Sequence, residues 1–264
     1  MTSRSISWSA ALLAYVVAFF VFLYGPLLIL LLLSFNDTDR IGWPFRGFTL
    51  RWFGYLAERA DIVKALVNSM LLGVTAAIVS VSLALMLALA FRTAFLFKPA
   101  LMQLILLPIL IPGIVSGVLL LAFFGYFGLP FGLFSSVLCA HVTWTLPFAF
   151  LTIYPRLHSF DRGLEEAAED LGAGKFAVFR YIILPLIMPG IIATLLFCFT
   201  LSFDEFIRTA FVLGTERVMP VLLWSLVTQV AEPYIPAVGV ANVLISLLVS
   251  LAGLLLAARQ SKES

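Results

Sequence analysis

Residues capable of chemistry are few in this sequence, and they are bunched. Only 11% of its 264 residues are charged, yet residues 161–170, "DRGLEEAAED", hold five carboxylates and an arginine. One residue further on comes Gly172-Ala173-Gly174-Lys175, the kind of run that can cradle a phosphate. A phosphate loop needs a glycine, four residues, Gly-Lys, then Ser or Thr. Here the first glycine would be Glu169 and the last residue is Phe176, and the carboxylates just upstream would repel phosphate. Nucleotide binding by that route is excluded. Cys139 and Cys198 lie inside apolar runs without metal-ligand spacing, so they read as packing residues and no metal site is assigned. Ser116 and His141 could suggest an intramembrane protease, but "IVSGV" lacks a nucleophile-type Gly-x-Ser-Gly setting. No catalytic residue is assigned. Asp204 and Glu205, in "LSFDEFIRTAF", close an apolar run, and ionisable groups at membrane depth are functional candidates.

The rest of the chain must hold these residues in place. Its composition is 62% hydrophobic, far above the roughly 45–50% of soluble domains, so the excess faces lipid. A formal charge of +2 points to no nucleic-acid partner. Spans of about 20 apolar residues cross a bilayer. Six fit, near 12–33, 64–91, 100–124, 134–155, 187–210 and 234–257, in a single transmembrane domain over 1–264. The uncharged stretch between Lys98 and Arg156 is 57 residues long and is divided at "GYFGLPFG", where glycines and a proline supply a turn. The first run, 32 residues between Arg4 and Asp37, is too long for a signal-peptide core and is read as a retained helix. The fold expected is an all-α polytopic bundle. Lysine and arginine divide nine to seven in favour of cytoplasmic termini, which places the loop 156–186 in the cytoplasm. The segment 34–62, with Phe48, Trp52, Phe53 and Leu56 on a possible helical face, reads as an interfacial anchor.

Within that loop Leu164, Ala167, Ala168 and Leu171 fall at i, i+3, i+4 and i+7, one face of a short helix, with Glu165, Glu166, Glu169 and Asp170 on the others. Gly172 and Gly174 can stop it. Phe176, Phe179, Ile182 and Ile183 then restart an apolar stripe towards Pro185. Such a helix between two spans is shaped to fit into something. Glu166-Ala167-Ala168, three residues, Gly172, nine residues, then Ile182-Ile183-Leu184-Pro185 resembles the EAA signature of ABC importer permeases at every fixed position. The stretches "LPILIPGIVSGVLLL", "AHVTWTLPFAFLTIYPRLHSFD" and "LSFDEFIRTAFVLG" extend the resemblance over nearly the whole chain, to the second permease of the spermidine/putrescine group.

That resemblance implies a type I importer transmembrane fold with six helices and a chain that moves solute by alternating access. It implies that Glu166, Ala167, Ala168, Gly172, Ile182, Leu184 and Pro185 couple the permease to a separate ATPase dimer carrying ATP and Mg. It implies a second homologous permease, a periplasmic binding protein that delivers substrate, and a cell inner membrane location. The chain itself would bind no cofactor. The pathway candidates are Asp204, Glu205, Pro112 and Gly113. Counting from Met188, Asp204 lies about 24 Å along its helix, near the outer mouth, where it could admit a cationic amine or pair with Arg208. Arg208 is a departure, because the family typically follows its two acidic residues with apolar or small ones. A carboxylate neutralised by its neighbour attracts a polycation poorly, so amino acids, opines and aminophosphonates stay open as substrates. Pro108 and Pro112 should break the third span, while Gly113 and Gly117 offer a close-packing face. His141, Asn68, Ser69, Gln103 and Asn242 read as helix-to-helix hydrogen bonders. A membrane assembly factor is the remaining alternative.

Overall fold

The computed structural model describes residues 2–159, 163–229 and 232–263. Asp161 and Arg162, two charges of the acidic stretch, lie outside them. Among the described residues the regular structure is helical, apart from one isolated antiparallel bridge between Asn36 and Phe48. Five helices among the described residues are long and apolar enough to cross a membrane, or six if a bent pair counts as one span.

Two compact units divide the chain, Met1–Val63 with Leu223–Leu244, and Lys64–Leu222 with Ile245–Ser264. In the first, α1 (Thr2–Ser34) exposes nearly all of its apolar side chains from Ala10 to Leu33, as a lipid-facing helix must. The loop after it is organised by Asn36, whose amide donates to the Gly42 and Pro44 carbonyls and accepts from the Arg46 N–H. Trp52 on α2 (Arg51–Glu58) donates to the Asn36 carbonyl at 3.0 Å. The aromatic set expected on one helical face is split. Leu56 is buried on α2, whereas Phe48 precedes the helix in the bridge and is exposed. Arg59 then binds Asp61 at 2.7 Å and reaches the Tyr234 hydroxyl at 3.3 Å.

The second unit carries the core. α3 (Ala60–Ala90) buries Ala65, Leu72, Ala76, Ala84 and Ala88 at helical spacing. Small residues on one stripe let neighbouring backbones approach closely. The third apolar run is broken where the sequence places its prolines. It is two helices, α4 (Lys98–Leu110) and α5 (Gly113–Tyr126), meeting at 107°. The cause is Pro112: its ring drives Ile111 out of the helical region, to φ −85 and ψ 124. At about 20 Å each, neither piece spans a bilayer of about 30 Å alone.

A π-helical turn, Leu133–Val137, leads into α6 (Leu138–His158). The loop carries α7 (Gly163–Asp170) and α8 (Lys175–Val178), and a second π turn, Phe179–Ile183, runs into α9 (Leu184–Phe203). The fifth run ends earlier than the expected 210. It stops at Phe203, and a new helix, α10 (Ile207–Val212), begins after a break at 204–206. The Glu205 carboxylate makes that restart possible by accepting the Arg208 backbone N–H at 2.9 Å, an orphan donor at the new helix start. α11 (Met219–Gln229), too short to span, and α12 (Ile235–Glu263) complete the chain. α9 packs along α6, and α10 lies against α5 and α6. Phe91, Phe150, Phe199 and Phe203 are among the large side chains of the main cluster.

Candidate functional site

The acidic loop forms the helix its periodicity requires, and the way it ends is specific. The Ala173 N–H donates to the Ala168 carbonyl and the Gly172 N–H to the Glu169 carbonyl, both at 2.9 Å. This crossed pair is a Schellman stop, which needs a left-handed residue, and Gly172 has φ +89. Ala168 and Ala173, the two ends of the motif, pack against the main hydrophobic cluster. The rest of the predicted apolar stripe points outward: Leu164, Ala167 and Leu171 are exposed, Leu171 to 90%. Glu166 and Glu169 are exposed beside them. Downstream, Ile182 and Leu184 are half-buried against the cluster, and Pro185 occupies the first turn of α9. The segment thus presents carboxylates and unburied leucines together on a helix whose stop is anchored.

A second constellation gathers where α5, α6, α9 and α10 meet. Arg208, only 6% exposed, does not pair with Asp204. Its Nη1 binds Glu205 Oε2 at 2.8 Å, while the guanidinium carbon lies 3.9 Å from the Trp144 ring centre. Both Glu205 oxygens are therefore engaged, one by the side chain and one by the backbone of Arg208. Asp204 stays exposed and accepts from the Ser246 hydroxyl at 3.3 Å. The broken third run comes to the same place. A Cβ on Gly113 would lie 3.3 Å from Ile207 and 3.5 Å from Arg208 Nη1, and one on Gly117 would lie 2.6 Å from the Phe211 ring. The two glycines form the groove in which α10 lies. Pro112 starts α5 beside it.

Buried His141 is a packing residue, held on both sides: Nδ1 by Ser202 at 2.6 Å and Nε2 by Thr209 at 2.7 Å. The Thr209 hydroxyl gives its proton to the Glu205 carbonyl, so Nε2 must donate to it. With the ring neutral, Nδ1 then accepts from Ser202. Asn68 donates to the Arg217 carbonyl and Ser69 accepts from the Met219 N–H, both at 2.8 Å, so these too join helix to chain. Gln103 instead lines an apolar recess of about 560 Å³ with Leu106, Leu107, Leu110 and Leu151. Sequence reasoning missed Trp144, Ser202, Thr209 and Ser246. Trp144 follows His141 by three residues, so helical phase could have nominated it, but the partners on α9, α10 and α12 carry no local signal.

An apolar multi-helix unit with a broken third span and an anchored acidic helix between its later spans defines a membrane permease. Residues 80–262 match the family of binding-protein-dependent transport system inner membrane components, and the chain belongs to that family. It is a multi-pass permease subunit of an ABC importer, a class whose ATP hydrolysis takes place in a separate subunit. The chain is 34% identical to the spermidine/putrescine transport system permease protein PotC of Escherichia coli (strain K12), covering 94% of each. It is 32% identical to the putrescine transport system permease protein PotI of the same organism, over 83% of this chain and 81% of that one. A bacterial ABC transporter involved in import of the acidic polysaccharide alginate superposes with a TM-score of 0.76 at 19% identity, covering 97% and 96% of the two chains. That likeness speaks for the type I importer fold.

Proposed function

We propose that this permease carries a small amine of the spermidine/putrescine class, delivered by a periplasmic binding protein. The substrate reading is carried by the 34% identity, over 94% of the chain, to a permease named for spermidine and putrescine. A second homologous permease completes the pathway, and an ATPase dimer holding ATP and Mg docks on α7. Glu166, Ala167, Ala168 and Gly172 form that dock, with Ile182, Leu184 and Pro185 seating it on α9. The exposed leucines and carboxylates of α7 support this role, because apolar side chains left in water on an otherwise anchored helix suit a partner groove. The termini and the loop 156–186 lie in the cytoplasm of a bacterial cell, and this chain binds no cofactor of its own. Asp204, Glu205, Pro112 and Gly113 border the substrate path.

One observation favours a second substrate class. Arg208 neutralises Glu205, so the corner carries less negative charge than its two carboxylates would give, which suits a zwitterion, such as an amino acid, opine or aminophosphonate, better than a polycation. Uptake by the reconstituted importer decides between them. Labelled spermidine or putrescine should accumulate with ATP and be displaced by unlabelled polyamine. Displacement by an excess of zwitterionic amine and not by polyamine would overturn the polyamine reading. Nucleotide binding to the chain purified alone would overturn the assignment of ATP to the partner.

A further inference from the structure

An eight-residue helix is too short to hold its own position, and no residue of α7 is buried. Something must therefore tie it to the membrane helices if a push on it is to move them. One tie is visible. The Arg92 guanidinium, just past the end of α3, grips the Glu165 carboxylate in the first turn of α7 with both arms. Nη1 to Oε2 is 3.1 Å, and Nη2 bonds Oε1. The side chains are 11% and 19% exposed, so the pair is partly shielded from water. A bidentate fork fixes angle as well as distance, which a single contact does not. Glu165 and Ala168, one turn apart, are the half-buried side of the helix, while Glu166 and Glu169 face away.

The Arg92 end is itself built into the core. Phe91 beside it is 2% exposed, with its ring 5.3 Å from that of Phe150 on α6. Lys98, at the start of α4, donates to the Phe91 carbonyl at 2.5 Å and to that of Thr93 at 3.3 Å, closing the turn between α3 and α4. From α7 through Glu165 and Arg92 there is thus a continuous path to two membrane helices, between residues 73 positions apart.

We infer that the Arg92–Glu165 pair is a strut that makes α7 and the α3–α4 turn move as one piece, so that Arg92 is a positioning residue for transport. The inference rests on the reading of α7 as the docking helix. Its chemistry is separate from that docking, since Glu165 is turned inward and Glu166 outward.

The test uses the complete importer in proteoliposomes, with Cys139 and Cys198 replaced and spin labels on cysteines at Ala94 and Asp170. The label distance is measured without nucleotide and with ATP and vanadate, which requires no knowledge of the substrate. With Arg92 and Glu165 intact the distance should hold within about 1 Å, whereas Arg92→Gln or Glu165→Gln should shift it by more than about 2 Å. The double exchange Arg92→Glu with Glu165→Arg should restore it. With spermidine as probe, the amount moved per ATP hydrolysed should fall about tenfold in each single variant, an ordinary coupling loss. An unchanged distance in both single variants would overturn the strut, as would an exchange no better than either. Loss of the ATPase subunit on purification of Arg92→Gln would also overturn it, because the pair would then build the docking face. Failure of the docking reading looks different: Glu166→Ala and Gly172→Val would both leave ATPase recovery and transport normal.

Discussion

Replacing Gly172 by valine tests the coupling segment at its most defined point. The residue has φ +89, and a Cβ placed there would meet nothing within 4 Å. Collision with neighbours therefore contributes nothing, and the cost is confined to the backbone. A left-handed L-residue costs about 1–2 kcal/mol, and β-branching does not lower it. At about 1.4 kcal/mol per tenfold, the ratio of correctly stopped to unstopped α7 should fall about 5- to 30-fold. The two crossed hydrogen bonds from Gly172 and Ala173 would loosen with it, and Glu166 would lose its orientation. Asparagine tolerates left-handed angles better, so Gly172→Asn should fall between glycine and valine. The assay is recovery of the ATPase subunit on the purified permease, paired with substrate uptake. Membrane insertion should be unaffected in all three proteins. Wild-type recovery and uptake in Gly172→Val would refute the reasoning, since the stop would then carry no docking geometry.

Three further outcomes follow from the corner around α10. Gly117→Leu should lower the thermal stability of the assembled permease by about 1–3 kcal/mol through overpacking, because its Cβ would sit 2.6 Å from the Phe211 ring. Gly125→Leu on the same helix, where a Cβ meets nothing within 4 Å, is the control and should be near neutral. Arg208→Met strands the Glu205 carboxylate, whose side chain is only 9% exposed. Such a broken pair costs about 3–5 kcal/mol, so yield should drop, and adding Glu205→Gln should recover part of it. Asp204→Asn should leave yield intact and weaken uptake of a cationic amine; equal losses of yield in all of these variants would show that Asp204 too is structural.

The sequence alone settled what periodicity and local chemistry control. Long uncharged runs can only be membrane helices, because the bilayer leaves no other way to satisfy a backbone. The acidic helix and its glycine stop were legible because each depends on residues within one or two turns. The same holds for the break at Pro112, whose existence is a property of one ring. Other features are sums over distance. That the break turns the chain by 107°, and that the two glycines receive Ile207 and Phe211, depends on how α10 packs. Arg208 stands at helical spacing from both Asp204 and Glu205, so spacing could not choose between them. The end of α9 at Phe203 chose, by turning Asp204 towards Ser246 and leaving Glu205 to start the next helix. Arg92 and Glu165 had no reason to be paired on paper, 73 residues apart. Only the folding of α3 and the acidic loop onto a shared hydrophobic cluster brings the two charges together.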